Sequence, residues 1–102
     1  MPNEKDTRPE PLAAALGRYL SKSGLATRLE QASVVEAWPD LVGPGVAAVT
    51  QALSVAADGT LFVAVRTPAW MTELAMMERE ILAAINRRGT ASIARIRWQL
   101  AR

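Results

Sequence analysis

The chain contains neither cysteine nor histidine. Without cysteine there is no disulfide framework and no thiolate metal site, which reads as a reducing, cytoplasmic home. Without histidine the commonest general base and the commonest metal ligand are both gone. Serine and threonine therefore have no imidazole to activate them, and no lysine follows a serine at the spacing that Ser-Lys enzymes use. The 10 acidic residues include Glu78 and Glu80, but side chains two apart on a helix diverge rather than converge. Gly43-Pro44-Gly45 lacks the Gly-x-x-x-x-Gly-Lys-Ser/Thr spacing of a phosphate loop. These absences predict a protein that is not an enzyme and needs no cofactor, metal or small-molecule substrate.

Long apolar runs are missing too. None approaches the ~20 residues that span a bilayer, so no membrane association is expected. Met1 to Glu10 is polar and interrupted by proline, with no apolar core for a signal peptide. Residues 1–10 read as a flexible lead-in and residues 11–102 as one domain. Acid is missing from one region only. Nothing acidic follows Glu80, whereas Arg87, Arg88, Arg95, Arg97 and Arg102 do. The net charge of +2 conceals this asymmetry, which points to a polyanionic partner.

What remains is a globular composition, with 50% hydrophobic and 22% charged residues. Leu12, Leu16, Tyr19 and Leu20 form a stripe of helical period, with Pro11 suited to its first turn and Gly24 to its stop. A second stripe runs through Val34, Val35, Trp38, Leu41 and Val42. Thr27 and Glu30 have the spacing of a capping box before it, Pro39 should kink it, and Gly43 to Gly45 should end it. Residues 52–57 and 60–66 flank Asp58-Gly59, a two-residue type I′ hairpin signal. That turn would pair Val55 with Phe62 and Leu53 with Ala64 on one face, and Ala56–Leu61, Ser54–Val63 and Ala52–Val65 on the other. Thr67 and Pro68 open a third helix, striped by Trp70, Leu74, Met77, Ile81 and Ile85 and stopped by Gly89. Finally Ala94, Ile96, Trp98 and Leu100 alternate with Arg95, Arg97 and Gln99, the pattern of a half-buried strand with a basic outer row.

The order is α-α-β-β-α-β, an α+β fold with a three-stranded sheet packed on helices, the outline of a small KH-like domain. No two glycines lie three apart, so the Gly-x-x-Gly clamp of RNA-binding KH domains is absent. Trp38, Trp70 and Trp98 sit at core positions and are read as structural. The arginines Arg66, Arg87, Arg88, Arg95, Arg97 and Arg102 are candidate phosphate ligands, and equally a solvated face that protects a sheet from edge pairing. Leu53, Val55 and Phe62 are either core or an apolar surface for a protein partner.

Three segments taken together carry a resemblance: Val35-x-x-Trp38-x-x-Leu41-Val42-Gly43, Gly59-x-Leu61-x-Val63-x-Val65, and Ala69-Trp70-x-x-Glu73-Leu74, with a final strand containing Ile96. In order and spacing they resemble the DciA-type domain, over nearly the whole chain. The resemblance implies a KH-like fold and a DNA-replication role. A DnaB-type replicative helicase and single- or double-stranded DNA would be the partners, helped through loading or operation without nucleotide chemistry. Two other readings stand beside it: a protein-interaction adaptor without nucleic-acid binding, and a KH-like binder of structured RNA.

Overall fold

The computed structural model describes residues 9–88 and 92–102. Helix α1 (Pro9–Ser23) and helix α2 (Leu25–Val42) are separated by Gly24. With φ of 75°, Gly24 ends the first helix in the left-handed conformation and begins the second without a side-chain cap. Thr27 therefore lies inside the first turn of α2, and the expected capping box does not form. Pro39 is accommodated in the last turn of α2, where the Gly43 N–H donates to the Pro39 carbonyl at 3.0 Å. A single turn, α3 (Pro44–Ala47), leads into the hairpin of β1 (Thr50–Val55) and β2 (Thr60–Val65). Then come α4 (Pro68–Met76), α5 (Glu78–Arg88) and β3 (Arg95–Leu100). The third helix predicted from sequence is thus two, divided at Met77, whose φ of −97° and ψ of 6° leave the helical region. The Thr67 hydroxyl caps α4 as expected, accepting from the Trp70 N–H at 3.1 Å. The expected stop at Gly89 lies outside the described residues, as does most of the 1–10 lead-in.

The sheet has order β1-β2-β3, with β1 antiparallel and β3 parallel to β2. The hairpin pairing differs from the sequence prediction. Val55 opposes Leu61, Ser54 opposes Phe62 and Ala52 opposes Val63. Two features cause the slip. The Gly59 N–H donates to the Ala56 carbonyl (2.9 Å) while the Ala56 N–H donates to the Thr60 carbonyl (2.8 Å), so the loop holds three residues rather than two. A bulge between Ala52 and Ser54 then adds Leu53 as an extra residue. Each one-residue change moves side chains to the opposite face.

One face of the sheet becomes the core. Leu61, Val63, Val65, Val55, Ala52 and Ile96 are buried there against Val34 and Trp38 of α2, Leu74 of α4, and Ile81 and Ile85 of α5. Trp38 meets the half-buried Trp98 edge to face, with centroids 6.5 Å apart at 61°. Its indole N–H donates to the Thr50 hydroxyl (2.9 Å), which donates in turn to the Val46 carbonyl (2.7 Å). The Trp98 indole and the Ile96 N–H both donate to Glu78, whose carboxylate pins the start of β3 to α5. Trp70, expected in the core, is 38% exposed. Helix α1 touches only α2 and stretches the molecule to 62 Å along its long axis. Its stripe of Leu12, Leu16 and Tyr19 is uncovered.

Candidate nucleic-acid interface

No described helix or strand packs across the second face of the sheet, since α2, α4 and α5 pack on the first; at its edge Arg97 lines a hollow with Met71, Thr72, Ala75 and Met76 of α4. The register defines what this open face carries. Thr60 lies beside Arg95; Ser54, Phe62 and Arg97 form the next row; Gln51, Ala64 and Gln99 form the third. Arg66 follows β2 and Arg102 follows β3, both at the far end from Arg95. Arg95 and Arg102 are seven residues apart, which at the rise of a strand is about 23 Å. An exposed cationic track therefore runs along one edge of an open sheet. Asp58, in the hairpin turn, is the carboxylate that pairs with it, through Arg95.

Arg95 is partly committed. Its Nη1 donates to the Thr60 hydroxyl at 2.7 Å and to Asp58 Oδ2 at 3.3 Å. Asp58 itself is held below its ordinary carboxylate pKa, first by hydrogen bonds from Thr60 and also by the Arg95 charge. Arg97 is exposed and makes no side-chain bond to a described residue, so its guanidinium has all five donors for an anion.

The six arginines picked out in the sequence do not form one patch. Arg66, Arg95 and Arg97 share the open face, with Arg102 at its end. Arg87 and Arg88 close α5 in the helical layer on the other side. There Arg88 donates to the Asp40 carbonyl at 2.9 Å, satisfying the C-terminal turn of α2. The apolar trio also separates. Val55 is buried in the core, Leu53 is 41% exposed at the bulge, and Phe62 is half-buried on the open face. The expectation that Val55 and Phe62 share a face is overturned by the three-residue loop.

Sequence reasoning missed a second surface. Between α3 and α4, Gly45, Val46, Ala69, Trp70, Glu73 and Met77 line an open hollow of about 490 Å³. The available signal was Trp70's place one turn into a helix, where there is no preceding turn to pack beneath it. Among the described residues no group of three or more Cys, His, Asp or Glu is placed to hold a metal ion. No described helix is long and apolar enough to cross a membrane.

Residues 11–98 match the family model described as "Dna[CI] antecedent, DciA". The chain is also similar to the UPF0232 protein of Rhodococcus jostii (strain RHA1), at 31% identity over 84 residues. That match covers 82% of this chain but 44% of the relative, so the matched stretch spans less than half the length of that protein.

Proposed function

Since this chain belongs to the DciA family, we propose that it is a non-enzymatic accessory of the replicative helicase, binding a DnaB-type ring and the DNA on which the ring works. Family membership supports the association with the replicative helicase. The open sheet face supports the DNA contact. Its basic track, with one paired and one unpaired guanidinium on β3, is the observation that carries the reading. Guanidinium forks match phosphate oxygens and need no particular base, so binding of this kind is positional and dependent on salt.

The test of the DNA contact is the double variant Arg95→Glu with Arg97→Glu. It should weaken DNA binding and flatten the dependence of affinity on salt, with circular dichroism unchanged. Unaltered binding by a folded double variant would discard this face. The helicase contact is tested by calorimetric titration of the protein into the replicative helicase, with and without a single-stranded oligonucleotide. Saturable binding supports the reading, and an affinity that shifts with DNA demonstrates coupling between the two partners. No heat and no co-elution would remove the helicase from it.

A further inference from the structure

Phe62 is the sole aromatic residue on the open face. Trp38 and Trp98 belong to the core side, and Tyr19 and Trp70 lie on helices. It occupies the middle strand, directly beside Arg97 in the parallel register and opposite Ser54. A core explanation does not account for it, because the described elements on that face are only the sheet itself. A solubility explanation accounts for arginines and glutamines, not for a phenyl ring at the centre of them.

We propose that Phe62 is a stacking platform for an unpaired nucleobase, with Arg97 holding the adjoining phosphate, so that this face prefers single-stranded to duplex DNA. The inference rests on the DNA-binding reading above and adds to it what the face distinguishes. Sheet surfaces that bind single strands stack bases on an exposed aromatic ring, with cations close by for the backbone. The row Ser54–Phe62–Arg97 has that composition across one sheet. A ring lying flush in a sheet reaches only a base that has left its own stack. The bases of a duplex are already stacked on one another, so the duplex offers phosphates and groove edges but no free π-face. Charge selects the occupant: the track of Arg66, Arg95 and Arg97 favours an anion, and an extended single strand supplies both the anion and an exposed π-face. Gln51 and Gln99, in the next row, add amide donors and acceptors within reach of a base edge.

Three variants and two probes test it. The probes are a labelled oligothymidylate, whose bases stack poorly on one another, and a duplex of the same length. Phe62→Leu keeps the apolar volume and removes the π-face. It should lose about tenfold in affinity for oligothymidylate, the effect of one base stack, with duplex affinity unchanged. Phe62→Trp should restore or exceed wild-type affinity, which a merely structural role would not do. Arg97→Glu should weaken both probes. If Phe62→Leu binds oligothymidylate like wild type while Arg97→Glu does not, the stacking proposal falls and the phosphate reading stands. If Arg97→Glu is also without effect, both fall. Equal loss on both probes by Phe62→Leu, or loss of helicase binding with oligothymidylate binding intact, overturns the proposal in favour of a structural or protein-contact role.

Discussion

Leu61 and Phe62 are neighbours on the middle strand, yet they face different worlds. Leu61 is fully buried between the strands and the helical layer, while Phe62 looks out from a face that no described helix or strand covers. The same contrast runs along β3, where Ile96 is buried and Arg95 and Arg97 are exposed. On one face identity is set by packing, since a core side chain must fill a fixed space. On the other it is free of that requirement, and what occupies it is explained by what it touches outside the chain. The helical side holds the domain together, and the open side carries Arg66, Arg95 and Arg97 around its odd aromatic residue.

The largest expected effect breaks the first half of that comparison. Leu61→Ala leaves a cavity in the core it shares with Trp38, Leu74 and Ile85 and should cost about 2–5 kcal/mol of stability by denaturant unfolding. Phe62→Leu, one residue away, should cost well under half as much. If the two cost the same, Phe62 is a core residue and the open face is not open.

Next comes the hinge between the faces. Gly59 has φ of 92°, and a Cβ there would sit 3.2 Å from the Ala94 nitrogen. Its carbonyl accepts the Ala94 N–H at 2.9 Å, just before β3 begins. Gly59→Ala should therefore destabilise the domain by about 1–3 kcal/mol, through backbone strain and the forced retreat of β3. A neutral Gly59→Ala in thermal unfolding would show that β3 docks independently of the turn.

A smaller effect sharpens the second half. Arg97→Glu on the open face should weaken DNA binding severalfold and lower the salt slope by about one or two charges. Arg87→Glu, the same change in the helical layer, should leave both close to wild type. Equal losses for the two would mean that bulk charge, not the face, governs binding.

The elements of this fold were legible where local chemistry is decisive. Gly24, Thr67-Pro68 and the alternation of residues 94–100 each mark a boundary by their own conformational preferences. The hairpin register was not. Asp58-Gly59 carries a two-residue signal, but Thr60 bonds back to Asp58 and the turn closes one residue wider, from Ala56 to Thr60. The bulge at Leu53 has no sequence mark at all, because it resolves a conflict between hairpin register and core packing. Hence the turn signal pairs Val55 with Phe62, whereas Val55 belongs with Leu61. Of the candidate site, the strand row of Arg95 and Arg97 was legible from alternation. The separation of Arg87 and Arg88 from it was not, because adjacency along the chain carries no information about which layer a helix joins. Trp70 misled for a related reason: helical spacing gives the face of a helix, not how far along it the core extends.

The finest test lies where the basic track meets the turn. Asp58 pairs with the track through Arg95, and that contact makes it an internal competitor for a phosphate. Its depressed pKa means that the folded state prefers the ionised form. The stability it contributes is therefore present above the ordinary carboxylate pKa and lost as pH falls through the lower, folded value. Asp58→Asn removes that acid-side dependence. It should slightly loosen the hairpin at neutral pH, where the Thr60 hydrogen bonds weaken on loss of charge. At the same time it frees the Arg95 guanidinium, so DNA affinity at low salt should rise modestly and the salt slope should steepen. Stability and binding then move in opposite directions from a single substitution. A variant in which both fall together would mean that Arg95 needs Asp58 to hold it in place, and that the pair is part of the binding face rather than a brake on it.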